Sequence, residues 1–334
     1  MPPGAHVAAH TRALRAQQHT RKSHVDVAPY QLRTSRLLLR GSDRRCVEAL
    51  DEANGDLEEA ATLLRKAGLA AASKKAGRGA SEGAVAVAHG PAGAAVVEIN
   101  SETDFVARNE IFQVLAARVA RAALGLEVAG SAGSATVELP PAAISASTLD
   151  AADESVESAM GFAVSQLGEN LVLRRACLLP TPAEGGVVAS YAHNTYAPGV
   201  GLTIGAVVLK SRAANVDALR SLGEKLSMHV VAANPRFLDR QSVPEEAVGR
   251  ERDILSEQAA QSGKPANVVE KMVSGRLNKY YGEVCLLEQA YVIDDSSGSV
   301  TKVLAAAGKE LGADVELTGF VRYHVGEGAE ASDE

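Results

Sequence analysis

Two kinds of hydrophobic spacing alternate along this chain and divide it into elements. In residues 44–67, Val47, Leu50 and Ala53 share one helical face, and Leu57, Ala60, Ala61 and Leu64 share another. Asn54-Gly55 between them is a turn signal, and Asp56 is placed to cap the second helix. Gly68 stands where a C-cap glycine belongs. Beyond the glycine-bearing "SKKAGRGASEG", the spacing changes to that of strands: "AVAVAHG" and "GAAVVEIN", joined by a His-Gly-Pro turn. A helix over 110–124 follows, with Asn109 as its N-cap. Residues 129–148, rich in Ala, Ser, Gly and Pro, read as a loop. A helix over 151–167 then leads into the alternating "LGENLVLRRACLL".

A second strand–helix series begins near residue 186, with strands "GGVVASYAH" and "GLTIGAVVLK" and the helix "NVDALRSLGEKLSMHVVAA". It repeats the order of the first series weakly. Ser242 and Glu245 have capping-box spacing, and "GKP" separates two helices over 243–282. Val269, Met272, Val273, Arg276 and Tyr280 fall on one face, as an antiparallel helical hairpin requires. "EVCLLEQAYVI" reads as a strand, and a helix over 300–311 and the strand "VELTGFVRYHV" close the pattern.

The expected fold class is α+β: two related subdomains of small antiparallel sheets covered by helices. The expected domains are a ubiquitin-associated-like helical module over 41–70, a linker over 71–83 and core subdomains over 84–180 and 181–325. The second subdomain carries the hairpin 243–282, and 326–334 is an acidic tail.

Charge adds an asymmetry. Residues 1–40 hold seven Lys or Arg and one acid, Asp26, within a chain of net charge −7, which leaves −13 on 41–334. Duplex binding needs clustered cations, so the acidic body argues against direct nucleic-acid contact and fits a protein partner. The basic, Ala- and Ser/Thr-rich first 40 residues have no continuous apolar core and read as an organelle transit peptide. No run of 18 apolar residues indicates a membrane span. Cys46, Cys177 and Cys285 lie far apart, so neither a disulfide framework nor a zinc site is indicated, and a reduced compartment is expected.

Catalytic chemistry has no motif behind it. There is no P-loop and no Ser nucleophile elbow, and "GVGLTIG" has the wrong spacing for a dinucleotide loop and precedes a strand. His89, His193, His229 and His324 show no metal-ligand spacing. The expectation is a binding protein without cofactor or metal, not an enzyme.

One stretch is unusual. In "INSETDFVARNE", Phe105 follows Asp104 in a polar strand-to-helix connection, although the chain has only five Phe and no Trp. Phe105 either folds back onto the next helix or projects as an aromatic anchor for a partner. Pattern does not separate the two.

"VVEINSETDFVARNEIF" resembles the hallmark stretch of the translation elongation factor Ts family. "EANGDLEEAATLLRKAGLAAASKKAGR", "LGENLVLRRA", "MHVVAANPRFL", "QSGKPANVVEKMVSGRLNKYYGEVCLLEQAYV" and "GFVRYHVGEG" follow in the family's order. The resemblance implies a guanine-nucleotide exchange factor for GDP-bound elongation factor Tu. It implies that Thr103, Asp104, Phe105 and Val106 engage the partner and disturb its Mg²⁺ site. By position it adds Leu167, Gly168, His193, Met228 and His229 as secondary partner contacts, with the last two as packing residues otherwise. It also implies that the hairpin is a further contact in some members. The family's Thr-Gly-Ala turn ahead of Asp-Cys-Lys is absent, since Arg45 and Val47 flank Cys46. With the basic extension, the resemblance points to a mitochondrion, the alternative being a plastid. The competing function is a ubiquitin-binding adapter acting through the N-terminal helical module.

Overall fold

The computed structural model describes residues 43–126, 134–149, 154–260 and 265–328. The expected transit peptide over 1–40, Gly263 and Lys264 of the "GKP" break and most of the acidic tail lie outside them. The described residues form two compact units. One runs to Lys74 and includes Gly161–Gly168; the other holds Lys75–Met160 and Glu169 onward.

In the smaller unit, helices α1 (Asp43–Glu52) and α2 (Leu57–Lys75) meet at a tight turn where Asn54 and Gly55 take left-handed φ of 53° and 88°. Asp56 caps α2, its Oδ1 accepting from the N–H groups of Glu58 and Glu59 at 2.9 and 3.0 Å. Cys46, Ala49, Leu50, Ala53, Ala60 and Leu64 form the core. The expectation of a helix end at Gly68 is corrected: α2 passes through it to Lys75. Gly68 is there for a close approach, since a Cβ would stand 3.0 Å from the backbone nitrogen of Phe162. On the first helix, the Arg45 guanidinium donates to the Ser165 carbonyl and, at 2.9 Å, to its hydroxyl.

The larger unit is built on strands β1 (Glu82–Gly90), β2 (Gly93–Ser101), β3 (Val137–Leu139), β4 (Leu171–Pro180), β5 (Gly186–Ala197), β6 (Val200–Ser211) and β7 (Val315–His324). All pair antiparallel in the order β3-β4-β2-β1-β6-β5, with β7 on β6. They form one seven-stranded sheet, in which β1 meets β6 at a short seam, Val85 opposite Gly201 and Ala86 opposite Val200. Alternate residues of both halves share one apolar cluster, including Val85, Val96, Leu179, Ile204, Val208 and Tyr323.

Each half also carries a helix, preceded by a short turn in the first. β2 leads through α3 (Asp104–Ala107) into α4 (Glu110–Leu124), and β6 leads into α7 (Val216–Ala233). Two further helices, α5 (Pro141–Ala146) and α6 (Val156–Leu167), lie between β3 and β4. Leu219, Leu226 and Val230 of α7 pack with Val207 and Leu209, joined by Val300 and Leu304 of a helix described below. The α7 contact is close, because a Cβ on Gly223 would fall 2.6 Å from that of Ala189.

Glu98, fully buried on β2, pairs with Arg174 at 2.9 Å and Arg175 at 2.6 Å and accepts from the Gly326 N–H at 2.8 Å. Burial pushes its pKa up, but that N–H and the two guanidiniums outweigh it, and the net shift is downward. Beside it, burial pushes the Cys177 thiol up to about 12.

A pair of long helices, α8 (Glu245–Ala260) and α9 (Ala266–Val284), packs through Leu255, Ala259, Val273 and Leu277. At its base Arg240 hydrogen bonds to Glu288 and, at 3.0 Å, to Asn278. Ser242 does not serve α8, because its hydroxyl bonds back to the Asp239 carbonyl at 2.7 Å. The last helix, α10 (Val300–Leu311), precedes β7.

Two further expectations are corrected. Residues 129–148 hold more than a loop, since β3 pairs with β4 and α5 follows. "EVCLLEQAYVI" is not a strand: α9 runs to Val284, and Cys285 and Leu286 are buried in a turn whose carbonyls accept from Glu288 and Gln289. Apolar runs of this length form strands or buried turns alike, and only the packing decides.

Candidate functional site

The stretch Thr103–Val106 is the start of a single helical turn between β2 and α4. Thr103 sits at the N-cap with extended backbone, but its hydroxyl does not cap α3. All three of its polar groups bond elsewhere. Its N–H donates to Glu169 Oε2 at 3.0 Å, its hydroxyl donates to Glu169 Oε1 at 2.6 Å, and its carbonyl accepts from Ser101 Oγ at 2.9 Å. A reciprocal bond runs the other way: the Asn170 N–H donates to Glu102 Oε1 at 2.6 Å. Arg78 closes the group, its guanidinium 3.4 Å from Glu102 and its carbonyl accepting from Asn170 Nδ2 at 2.8 Å.

From this base the turn projects one side chain. Val106 and Ala107 are buried, whereas Phe105 is 80% exposed, the most exposed of the large apolar side chains among the described residues. The turn closes through Arg108 N–H to the Asp104 carbonyl at 3.1 Å and Asn109 N–H to the Val106 carbonyl at 2.9 Å. Asn109 then caps α4, its Oδ1 accepting from the Ile111 N–H at 2.9 Å. On the surface Arg108 lies 3.4 Å from Asp104 and 5.6 Å from the Tyr196 ring centroid.

Tyr196 belongs to the far end of β5, the strand that carries His193. Thus the Phe105 turn and the His193 hairpin are linked through Arg108. His193 is exposed and lies 3.3 Å from the Tyr191 hydroxyl through Nδ1. The next residue, Asn194, adopts a left-handed φ of 51°. Burial raises the Tyr196 pKa, and Arg108 opposes the shift.

His229 is different. It is fully buried in α7, with Nε2 3.0 Å from Gln289 Oε1 and Nδ1 accepting from the Val292 N–H at 3.3 Å. Gln289 is fixed in turn, donating to the carbonyls of Glu283 at 2.7 Å and Ala233 at 3.2 Å. Burial lowers the His229 pKa. In this fold His229 is a packing residue and offers a partner no surface; Met228 beside it is half-buried. Leu167 and Gly168 fall in the smaller unit, Leu167 half-buried and Gly168 exposed with φ of 80°.

The profile of the family described as Elongation factor TS matches residues 102–327. A protein named Elongation factor Ts from Paramagnetospirillum magneticum is 49% identical over 285 residues, covering 85% of this chain and 86% of that protein. One of the same name from Rhodospirillum rubrum is 47% identical over 288 residues, covering 86% and 89%. The chain belongs to the elongation factor Ts family.

The family match begins at Glu102 and so takes in the whole turn, its Glu169-Asn170 support and the His193 hairpin. Sequence reasoning named Thr103–Val106 but missed Glu102, Glu169, Asn170, Arg108 and Tyr196. A signal was present: two short acidic segments, "SET" and "GEN", each at the end of a predicted element. Half-buried carboxylates of this kind need donors; Glu169 finds them at Thr103, and Glu102 at Asn170 and Arg78.

Proposed function

We propose that this protein is a translation elongation factor that promotes GDP release from elongation factor Tu. The observation that carries the reading is Phe105, an 80% exposed aromatic on a turn whose neighbours are buried and hydrogen-bonded. A rigid aromatic of this sort is suited to enter a partner's packed surface as an anchor. In the proposed mechanism Asp104 and Phe105 engage the GTPase domain of GDP-bound elongation factor Tu, Thr103 and Val106 set the turn, and the shift disturbs the partner's Mg²⁺ site. Mg²⁺ neutralises the nucleotide phosphates, so its loss weakens GDP binding. Whatever factor this protein takes from GDP affinity, GDP takes from the affinity of this protein, and incoming GTP can displace it. No bond is made or broken, so the protein acts as an exchange factor and not as an enzyme.

His193, linked to the turn through Tyr196 and Arg108, is a secondary contact, as are Leu167, Gly168 and Met228. The α8–α9 hairpin is a further contact. We place the protein in an organelle, most simply the mitochondrion. The support is the basic, acid-poor composition of residues 1–40, a feature read from the sequence alone. The named relatives are bacterial.

The deciding experiment loads elongation factor Tu with fluorescent GDP and measures its release on adding this protein. Acceleration is expected; an unchanged release rate refutes the exchange reading. Import of a reporter fused to residues 1–40 tests the location, and a reporter left in the cytosol removes it.

A further inference from the structure

From the crossed carboxylate contacts at the base of the turn, we infer that Glu169 is a positioning residue for nucleotide exchange, holding Phe105 in the orientation that enters the partner. The inference rests on the exchange reading above and goes beyond it, because Glu169 need not touch the partner at all.

The argument starts from what a one-turn helix lacks. Four residues, Asp104–Ala107, cannot be stable alone, since a helix nucleus fixes several dihedrals for one hydrogen bond. Their placement has to come from the ends. At the C-terminal end Val106 and Ala107 are buried and Asn109 is committed to capping α4. At the N-terminal end the anchor is Thr103, and its N–H and hydroxyl both end on the two oxygens of Glu169. Hydrogen bonds to a charged acceptor are the stronger kind. Among the described residues, no other side chain bonds to either donor.

Phe105 lies two residues beyond this anchor. Without Glu169, Thr103 keeps only the bond from Ser101 to its carbonyl, and the extended N-cap backbone can rotate. The reciprocal Glu102–Asn170–Arg78 contacts would still hold β2 against β4, so the sheet should survive while the turn loosens. That separation makes Glu169 a control on presentation, distinct from a support for the fold. For an aromatic that must arrive oriented, loosening raises the ordering cost on binding.

The test is a cycle of variants in the full chain, read as stimulated release of fluorescent GDP from elongation factor Tu. Glu169→Ala should lower the stimulation about tenfold, from loss of two charge-assisted hydrogen bonds. In a Phe105→Ala background the same change should cost less than about twofold, because a positioning residue has nothing left to position. A full tenfold loss in that background, or no loss in the native one, overturns the inference. Thr103→Val keeps the shape and removes one donor, so it should repeat the dependence on Phe105 with a smaller loss. Equal losses with and without Phe105 overturn it in the same way, and Thr103→Val serves if Glu169→Ala fails to fold.

A partner-free readout separates this inference from the exchange reading. With para-fluorophenylalanine at position 105, fluorine NMR of the free protein should show one sharp line, broadened or split by Glu169→Ala. An unaltered line refutes the positioning role whatever the exchange assay shows. If Phe105→Ala stimulates GDP release at the native rate while the line still responds to Glu169→Ala, the wedge assignment fails and the role of Glu169 in exchange falls with it, leaving only a clamp on the turn.

Discussion

Asp104-Phe105 on α3 and Met228-His229 on α7 each put an aromatic ring on a helix among polar groups, and the fold treats the two rings in opposite ways. Phe105 sits on a four-residue turn, with Val106 and Ala107 taking the buried positions beside it. His229 sits in an 18-residue helix and is fully buried there against Gln289, Tyr291 and Val292. A long amphipathic helix has one buried face, and every residue at that phase is drawn in regardless of polarity. A single turn between two fixed elements has no such face, so its exposed residue is set by the anchors at its ends. The polar groups follow suit. Those of His229 are met inside the protein by Gln289 and Val292, while the polar anchors of α3 lie below the turn and leave its aromatic free.

The sharpest way to break this contrast is to truncate both side chains. Phe105→Ala should reduce stimulated GDP release about thirtyfold or more, the size of a central anchor, and leave the unfolding free energy within about 0.5 kcal/mol. His229→Ala should do the reverse. It removes a buried ring and strands the Gln289 carbonyl and Val292 N–H, for a loss of about 3 kcal/mol in denaturant unfolding. The folded fraction of that variant should exchange at the native rate. A His229→Ala protein of native stability with defective exchange would place His229 at the partner surface and dissolve the comparison.

A smaller effect sharpens the α7 side. Gly223→Val should cost about 2 kcal/mol, because a side chain there meets Ala189 at 2.6 Å from its first carbon. A neutral result would mean α7 has room to lift from the sheet.

Acid should also distinguish the regions. The His229 pKa is lowered by burial, so the folded state binds the proton less readily than the unfolded one. The stability it contributes is complete above the ordinary histidine value of 6.5 and is lost as pH falls below it. Protonation at Nδ1 would also break the bond from the Val292 N–H. Denaturant midpoints should therefore fall as pH drops from about 7.5 to about 5.5, and the drop should shrink in His229→Gln. His89, lowered by burial and by Arg220, adds in the same direction and would account for the remainder.

Much of this was legible in the sequence. The α4 helix announces itself by its Asn109 cap and its apolar stripe, and the β1–β2 and β5–β6 pairs by Val-rich runs around Gly turns. What escaped has specific causes. At Gly68 a residue that ends many helices instead permits two backbones to touch, a tertiary fact with no local trace. β3 is only three residues, Val137–Leu139, and α5 is six residues mostly of Ala, Ser and Pro, too short or too weak a pattern to separate from a loop. The outward pose of Phe105 did not follow from pattern, because the same residues suit a folded-back ring. Its support was also invisible, since Thr103 and Glu169 stand 66 positions apart. Resemblance to a family identified the residue, and the structure gave a physical reason for its pose.

The smallest expected effect concerns the surface of the turn. Arg108 is 63% exposed and Asp104 48% exposed, at 3.4 Å and four residues apart. Water screens such a pair, and long side chains lose entropy in holding it, so measured contributions are small. The guanidinium also lies 5.6 Å from the Tyr196 ring centroid, near the outer limit of a useful cation–π contact. Arg108→Ala should therefore change the unfolding free energy by less than about 1 kcal/mol, and added salt should change the native protein little. The turn is then held from beneath, by Glu169 and the buried Val106 and Ala107, and not by its own surface charges. A loss well above that value in Arg108→Ala, abolished by salt in the native protein, would reverse the assignment and make Asp104 part of the scaffold instead of a group free to meet the partner.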